Sequence, residues 1–342
     1  MCYLTDSGPP LHPRANPDYP RYPVSRGKAP CYRLYSPGMP ATPLLSPAET
    51  AARLPYPALA AEIATLLMDP AVQVPPRLVQ PLPGGGSLFV MPALDGRLAI
   101  TKLITYTPAN AGTGRPAIQG DVVVFDIATG ERRLVLDGPT VTARRTAAVS
   151  LLAAQTLAPN PRGPLLIVGA GVQGRSHLEA FATGLGVQEV RIASRSGASA
   201  QTLAAYAKTL GLRAQTVADP DAALADCPLV VASTPASGVA LRATPRPDAF
   251  IAAVGAFTPR MVELAPELCR HLAEQGTVVV DTRDADHEAG DLLQAGLDVA
   301  QFASLQDVLR QKKNRPQGPV LFKSCGWAGW DLAAARLAAC SP

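Results

Sequence analysis

The chain has 342 residues, of which 47% are hydrophobic and 17% charged, enough for about two domains with substantial cores. Its net charge of +4 does not indicate nucleic-acid binding, because residues 1–45 hold five basic and two acidic residues and the remainder is nearly neutral. The cysteines lack C-x-x-C spacing, the histidines do not cluster, and no apolar run approaches the ~18 residues of a membrane span. We therefore expect a cytoplasmic protein with no disulfide framework, no metal site, and neither a nucleic-acid nor a membrane partner.

Residues 1–45 differ in composition from the rest of the chain. They contain ten of the 35 prolines and five of the eight tyrosines, with almost no apolar periodicity. This composition is typical of a disordered segment, or of a non-native extension upstream of a true start at Met39. A basic docking segment rich in Tyr and Pro is the alternative interpretation.

A small α+β domain is predicted from residue 46 onward. Ser46 and Glu49 have the spacing of a capping box, and Pro57–Met68 has the periodicity of an amphipathic helix. Short apolar runs then predict strands at Leu78–Pro81, Ser87–Met91, Leu98–Tyr106, Asp121–Asp126 and Arg132–Asp137. A long Ala-rich helix, Thr142–Leu157, leads out of this region. We expect residues 46–145, together with 320–342, to form a domain of their own.

A glycine-rich turn follows that helix. The apolar run Leu165–Val168 predicts a buried strand, which leads into Gly169-x-Gly171-x-x-Gly174 and then into helical spacing over residues 175–182. In such a turn the first glycine permits the tight bend, the second lets the backbone approach a pyrophosphate, and the third allows helix and strand to pack closely. The amides at the helix start then face the phosphates. The stretch therefore predicts a dinucleotide site.

Regular alternation of strands and helices continues beyond this turn. The predicted elements are the strands Glu189–Ala193, Ala214–Val217, Leu229–Ser233, Phe250–Val254 and Thr277–Asp281, and the helices Ser199–Leu210, Pro220–Ala225 and Pro266–Gln275. This pattern predicts an α/β fold with a Rossmann-type doubly wound parallel sheet over residues 146–319. The segment Val320–Gly326 and the helix Gly329–Ala339 fall outside the alternation, so we expect both to return to the first domain.

The end of the second strand bears on the choice of cofactor. NAD sites carry an acidic residue about 20 positions after the glycines, where it binds the ribose 2′-hydroxyl. Here the chain reads Ser194-Arg195-Ser196, with no carboxylate. A guanidinium between two hydroxyls suits a 2′-phosphate, so we expect NADPH, with NADH as the alternative cofactor. An ordinary solvated loop arginine is the competing interpretation.

Several motifs resemble those of the ornithine cyclodeaminase/mu-crystallin family, in the family's order. They are Val90-Met-Pro-Ala93, Thr101-Lys-Leu-Ile-Thr105, residues 137–148, Gly169-Ala-Gly-Val-Gln173, Val254-Gly-Ala-Phe-Thr-Pro259 and Glu288-Ala-Gly-Asp-Leu292. Within the family, Leu82-Pro-Gly-Gly-Gly-Ser-Leu88 and residues 141–147 are most similar to the bacterial Δ1-pyrroline-2-carboxylate reductases. Such enzymes reduce a cyclic ketimine acid to L-proline, and often the six-membered analogue to L-pipecolate.

The resemblance implies that Arg77, Lys102 and Arg145 bind the substrate and that Lys102 hydrogen-bonds or protonates the imine nitrogen. A cyclic imino acid carries a carboxylate, which arginine can bind through two hydrogen bonds and lysine through a movable ammonium group. Lys102 lies between apolar neighbours on a predicted strand, so it either extends to the surface or points into a cleft. Of the adjacent Arg144 and Arg145, the motif selects Arg145.

Cofactor-binding residues are predicted in five parts of the chain. Taken together, the glycine turn, the second strand end and the resemblance give Gly169, Gly171, Val172, Gln173, Gly174, Ser194, Arg195, Ser196, Thr234, Val254, Gly255 and Ser324. The resemblance also implies that Lys323 returns to the site with Ser324. Thr234 could instead mark a simple turn, and Gly255 a strand end. We expect His177 on a helix surface or in dimer packing rather than in proton transfer.

The residue type at position 257 distinguishes two reactions within the family, and this chain has Phe257. The cyclodeaminases carry aspartate at this position, and phenylalanine cannot act as an acid or base. We therefore expect reduction of Δ1-pyrroline-2-carboxylate, and also of Δ1-piperideine-2-carboxylate, rather than cyclodeamination of ornithine. The alternatives are an alanine-dehydrogenase-like oxidoreductase and a non-catalytic NADPH-dependent binding protein. The family also implies a homodimer, in which the domain of residues 46–145 and 320–342 binds the substrate and makes the dimer contact.

Overall fold

A computed structural model describes residues 42–110, 113–311 and 315–340. Of the predicted N-terminal extension, residues 1–41 lie outside the described residues. The first helix, α1 (Pro47–Ala52), begins at the predicted capping box, since Ser46 Oγ accepts from the Glu49 amide and the Glu49 carboxylate accepts from the Ser46 amide. Helix α2 spans Tyr56–Met68 and buries one apolar face.

A five-stranded antiparallel sheet follows these helices. Its strands are β1 (Leu78–Leu82), β2 (Gly86–Leu94), β3 (Leu98–Tyr106), β4 (Ile118–Asp126) and β5 (Arg132–Asp137), which pair in chain order. Along β3, buried and more exposed residues alternate, so that Lys102 lies on the buried face and Leu103 on the opposite face. Lys102 pairs in register with Met91 of β2 and Val122 of β4, which places its ammonium on the core side of a central strand.

Helix α3 (Gly138–Leu157) connects the two sheets of the molecule. It begins four residues before the predicted Thr142, because Asp137 Oδ2 caps the amide of Thr140 at 2.8 Å and Pro139 occupies the first turn. The helix is buried along most of its length and packs against both α2 and the helix that follows the glycine turn. Arg145 therefore extends from a fixed, buried helix.

The second half of the chain forms the predicted parallel sheet. Its elements are β6 (Leu165–Val168), α4 (Val172–Leu185), β7 (Glu189–Ala193), α5 (Gly197–Thr209), β8 (Arg213–Thr216), α6 (Pro220–Ala223), β9 (Leu229–Ala232), β10 (Ser237–Leu241), β11 (Phe250–Ala253), β12 (Val262–Leu264), α7 (Pro266–Gln275), β13 (Thr277–Val280), α8 (Gly290–Gln294), β14 (Ala303–Ser304), α9 (Leu305–Gln311), β15 (Val320–Lys323) and α10 (Ala328–Cys340). Eight strands pair in the order β14-β13-β15-β11-β9-β6-β7-β8, all parallel, while β10 and β12 form a separate pair. The α/β fold class is confirmed.

The last strand differs from the expectation. Residues 320–323 form β15, which pairs on one side with β11 and on the other with β13, inside the parallel sheet rather than in the first domain. All four of its residues are buried, as a strand covered on both faces requires. Helix α10 then packs against α2, α3, β2 and β3. The exact bounds of the two predicted domains stay predictions.

His177 is also placed differently from the expectation. It is fully buried, with Nδ1 2.8 Å from the Gln173 carbonyl oxygen and Nε2 3.0 Å from Ser150 Oγ of α3. The ring therefore fills the α3–α4 interface within one chain, because that helix face is turned inward rather than toward solvent. Burial lowers the pKa of His177 to about 4, so it is neutral at physiological pH.

No helix in the described part of the chain is both long enough and apolar enough to cross a lipid bilayer.

Candidate functional site

A cleft of about 840 Å³ lies at the carboxyl ends of the parallel strands, beside the glycine turn. The chain order of the strands reverses between β6 and β9, and such switch points are where open α/β sheets bind ligands. Gly169 has a φ of +112°, and a Cβ there would overlap the Ser233 carbonyl. Gly171 faces open space, and α4 begins after it with no side-chain cap. The first amides of a helix are free to donate hydrogen bonds, and Gly171 has no side chain that would block access to them. This arrangement fits a pyrophosphate.

Most of the predicted cofactor residues line this cleft. They are Gly169, Gly171, Val172, Gln173, Ser194, Arg195, Ser196 and Thr234. Gly174 lies behind the turn, where a Cβ would overlap the Gly169 carbonyl, so its contribution is close packing of α4 on β6. Val254, Gly255 and Ser324 line an adjoining cavity instead.

Arg195 lies at the mouth of the cleft, directly after β7. Its side chain is exposed, and Nη1 is 3.4 Å from Ser237 Oγ across the cleft. Ser194 and Ser196 line the same stretch. The described residues that line the cleft include no carboxylate, so the three hydrogen-bond donors at this strand end are compatible with a phosphate at the ribose 2′ position.

A second cavity, of about 230 Å³, adjoins the cleft and brings the three predicted substrate cations together. Arg77, Lys102 and Arg145 all line it, although they come from a loop, a strand and a helix. The two cavities share Tyr106, Ile118, Thr142, Gln173, Ser233, Thr234 and Pro235 in their walls. A small molecule among the cations would therefore lie next to whatever occupies the inner end of the cleft.

Lys102 is the most buried of the three cations, with 1% of its surface exposed. Its Nζ lies 2.8 Å from Oδ2 of Asp331, which is itself fully buried in the first turn of α10. Burial lowers the pKa of Lys102 to about 8; Asp331 opposes that shift, while Arg145 and Arg77 add to it. Of the two placements that the sequence pattern left open for Lys102, the structure has the one in a cavity wall rather than the one at the surface.

Arg145 shares the same aspartate. Its Nε is 3.5 Å from Asp331 Oδ1, and the guanidinium packs against Gly326, where a Cβ would lie 3.2 Å from both terminal nitrogens. Gly326 belongs to a loop that Asp281 holds, since Asp281 Oδ2 accepts from Ser324 Oγ at 2.8 Å and from the Gly326 amide at 2.9 Å. The loop after β15 thus forms the wall behind Arg145.

Arg77 has a different partner. It forms an ion pair with Glu288, a residue of the segment that follows β13, and both side chains are about one-fifth exposed. Burial raises the pKa of Glu288, and the Arg77 guanidinium partly offsets this effect. Arg77 is the most accessible of the three cations.

Lys323 does not line either cavity, contrary to the expectation that it returns to the site with Ser324. It is fully buried, with Nζ 2.9 Å from Asp291 Oδ2 and 2.6 Å from the Ala256 carbonyl oxygen. Lys323 therefore bonds to the residue between Gly255 and Phe257, which line the smaller cavity, without lining that cavity itself.

Glu263 hydrogen-bonds to residues that line the two cavities: Thr234 lines both, and Gly255 lines the smaller one. One carboxylate oxygen accepts from the amide of Thr234 at 2.7 Å and from its hydroxyl at 3.0 Å; the other accepts from the amide of Gly255 at 2.5 Å. A Cβ at Gly255 would overlap the Glu263 carboxylate, which explains why glycine is needed there. Burial raises the pKa of Glu263, and nearby Lys323 counters that effect.

Phe257 lines the smaller cavity. Its ring packs edge-on against Tyr106, with centroids 6.5 Å apart. An apolar ring therefore forms this part of the cavity wall.

The residues that the sequence did not single out are the buried carboxylates Asp331, Glu263 and Asp281. One signal was present for Asp331, the only acidic residue among the apolar and small residues of α10. A helix that is apolar nearly all round is buried, so a lone carboxylate in it needs a cation as partner.

Comparison with known proteins supports the resemblance found in the sequence. The model of the ornithine cyclodeaminase/mu-crystallin family matches residues 56–339. A Δ1-pyrroline-2-carboxylate reductase from Burkholderia multivorans is 41% identical over 300 residues, covering 87% of this chain and 95% of the relative. A Δ1-pyrroline-2-carboxylate/Δ1-piperideine-2-carboxylate reductase from Azospirillum brasilense is 40% identical over 301 residues, covering 86% and 94%.

Solved structures share the fold at lower identity. A Thermococcus litoralis Δ1-pyrroline-2-carboxylate reductase, solved with NADH and L-proline, superposes with a TM-score of 0.80 at 23% identity, covering 87% of this chain and 96% of the other. An archaeal alanine dehydrogenase dimer with bound NAD gives 0.78 at 22% identity, covering 87% and 95%.

Proposed function

Because this chain belongs to the ornithine cyclodeaminase/mu-crystallin family, we propose that it is a reductase of cyclic ketimine acids. The substrate is Δ1-pyrroline-2-carboxylate and the product L-proline; Δ1-piperideine-2-carboxylate, reduced to L-pipecolate, is a second substrate. The observation that carries this proposal is the convergence of Arg77, Lys102 and Arg145 in a small cavity that opens onto the dinucleotide cleft. The reaction takes place in the cytoplasm.

The cavity residues supply what the reduction of an imine needs. A nicotinamide cofactor, when bound, supplies a hydride for the imine carbon. Arg77 and Arg145 bind the substrate carboxylate, which fixes the ring orientation. Lys102 holds a proton at Nζ for the imine nitrogen, and its pKa of about 8 makes that proton easier to give than an ordinary lysine's. The hydride and this proton together convert the C=N bond to CH–NH.

Phe257 supports reduction without ammonia loss. Cyclodeamination of ornithine needs an acid–base group that moves protons on the departing amine, and Phe257, which lines this cavity, cannot act as one. A cyclic imine needs no such step. The contact with Tyr106 also gives the ring methylene groups of the substrate an apolar surface.

A panel of steady-state assays tests the proposal. The purified chain is expected to oxidise NADPH rapidly with the five-membered imine and with the six-membered imine. It should show little oxidation with pyruvate plus ammonia and should not convert ornithine to proline with NAD. Activity confined to pyruvate plus ammonia would favour an alanine-dehydrogenase-like enzyme. Tight NADPH binding without turnover of any imine would favour a binding protein.

We propose NADPH as the preferred cofactor, with NADH as the alternative. Arg195, Ser194 and Ser196 line the cleft at the strand end where NAD-specific sites carry a carboxylate. The ratio of kcat/KM values for NADPH and NADH measures this preference directly. A ratio below one would contradict the assignment of Arg195 to a 2′-phosphate.

We also propose that the chain forms a homodimer through the outer face of the five-stranded sheet. Leu78, Val90 and Leu103 lie in register across three strands on the face opposite Lys102. Leu78 is 57% and Leu103 46% exposed, and an apolar row of this kind typically marks an interface. Light scattering of the wild type should give a dimer, and Leu103→Glu should give a monomer; a monomeric wild type would contradict the proposal.

A further inference from the structure

We propose that Asp331 is a positioning residue that holds Lys102 and Arg145 at once and keeps Lys102 protonated in the working pH range. The inference rests on the proposed reductase function for its kinetic part only. Asp331 lies on α10, close to the end of the chain, and it does not line either cavity. It therefore acts through its two neighbours, which do line the substrate cavity.

The geometry of Asp331 divides its two oxygens between the two cations. Oδ2 is 2.8 Å from Lys102 Nζ and Oδ1 is 3.5 Å from Arg145 Nε, and all three side chains are at least nine-tenths buried. Among the described residues, no amide or hydroxyl donates a hydrogen bond to either oxygen. The carboxylate is thus held for the two cations alone, which is unusual for a fully buried acid.

The charges around Lys102 show why this carboxylate matters. The groups that face its ammonium are Asp331 from α10, Arg145 from α3 and Arg77 from the loop before β1. Burial and both guanidinium groups favour the neutral amine, whereas Asp331 favours the ammonium. Without it, Lys102 would lose its proton at a lower pH and could not donate to an imine.

The same carboxylate fixes the direction of Arg145. Its Nε faces Asp331 and its terminal nitrogens pack against Gly326, so the guanidinium is held from two sides. Without Asp331, the Arg145 guanidinium would lose the anion that its Nε faces. One aspartate therefore sets both the protonation of the proton donor and the orientation of the carboxylate binder.

Asp331→Asn tests the inference, since it keeps the size of the side chain and removes its charge. The ¹³Cε shift of Lys102, assigned by comparison with Lys102→Met, reports its titration without any need for turnover. We expect a midpoint near 8 in the wild type and one lower by about one pH unit or more in the variant. An unmoved midpoint in folded Asp331→Asn would overturn the inference, whatever the assays of the proposed function give.

Kinetics provide the second measurement. In Asp331→Asn the alkaline limb of kcat/KM should shift down with the Lys102 midpoint, and KM for the imino acid should rise, while the Kd for NADPH stays the same. Asp291→Asn is the matched control, because that buried aspartate pairs with Lys323 outside the cavity. It should leave the Lys102 midpoint in place.

If Asp331→Asn does not fold, Asp331→Glu tests the inference instead. Glutamate keeps the charge but cannot place both oxygens between the two cations in the same way. We expect the Lys102 midpoint to stay above that expected for Asp331→Asn, with at least a tenfold loss of kcat/KM. Full wild-type activity in Asp331→Glu would overturn the claim that the position of this carboxylate matters.

Discussion

Lys102 and Lys323 are both buried, and each pairs with one buried aspartate at nearly the same distance, 2.8 and 2.9 Å. Their remaining neighbours differ. Lys102 faces two guanidinium groups, whereas Lys323 faces a second acid, Glu263, and donates to the Ala256 carbonyl oxygen. Burial alone would lower both pKa values, but it prevails only at Lys102; at Lys323 the surrounding acids raise the pKa above its ordinary value.

The two aspartates differ in the same way. Asp291 accepts hydrogen bonds from the amides of Glu263 and Leu264, at 2.6 and 3.0 Å, so it is fixed to the backbone as well as to Lys323. Asp331 has no such amide donors among the described residues. The first lysine–aspartate pair can therefore respond to a change of charge in the cavity, while the second is part of the framework. A buried ion pair indicates function only when the charged and hydrogen-bonding groups around it are also considered.

The largest expected effect is on turnover in Lys102→Met. Removing the proton donor should lower kcat by roughly 10²- to 10⁴-fold, the usual contribution of a positioned acid. NADPH affinity and the melting temperature should change little, because Arg145 still neutralises Asp331. Lys208→Met, on the exposed surface of α5, is the control for loss of a lysine and should retain full activity. Comparable turnover in the Lys102 variant would place the proton donor elsewhere.

Lys323→Met should show the reverse pattern. Loss of this ammonium leaves Asp291 and Glu263 buried without a cation, which costs roughly 3–5 kcal/mol of unfolding free energy. Chemical denaturation should therefore give a much lower midpoint than for Lys102→Met. A variant as stable as the wild type would show that Lys323 is not part of the framework.

The sequence predicted the fold well where local patterns decide it. Apolar runs bounded by turns gave Leu98–Tyr106 and Glu189–Ala193 their observed bounds. The short strands Ser237–Leu241 and Val262–Leu264 were missed, because neither has a pattern of its own and each depends on pairing with the other. Val320–Lys323 was misplaced, since three apolar residues followed by a lysine do not reveal which sheet they join.

The candidate site was predictable to a smaller extent. The resemblance selected Arg77, Lys102 and Arg145, and the structure brings them to one cavity. Their acidic partners were not predicted, because Asp331 and Glu288 are distant in sequence from the cations they pair with. Sequence spacing identifies charged residues, but the pKa of each depends on partners that only the tertiary fold brings together.

The pH dependence of the free energy of unfolding shows how burial affects His177, a base whose pKa is lowered mainly by burial. Its pKa of about 4 means that the unfolded chain takes up a proton below pH 6.5 while the folded chain does not. This residue should therefore lower the free energy of unfolding by on the order of 3 kcal/mol as pH falls from 6.5 to 4. Denaturation at several pH values should show a smaller decrease for His177→Gln; equal slopes would contradict the inferred pKa.

Arg195 gives the smallest expected effect, because it is an exposed cation whose interactions water and salt weaken. If a 2′-phosphate is its partner, Arg195→Gln should lower the NADPH-to-NADH ratio of kcat/KM by about tenfold, and Arg195→Asp by more. Arg213→Gln, an exposed arginine on the neighbouring strand β8, should leave the ratio unchanged. Higher salt should reduce the NADPH preference of the wild type, whereas the Lys102 midpoint, set inside the protein, should hardly move. An unchanged ratio in both Arg195 variants would contradict a role of Arg195 in the NADPH preference, which would then depend on Ser194 and Ser196.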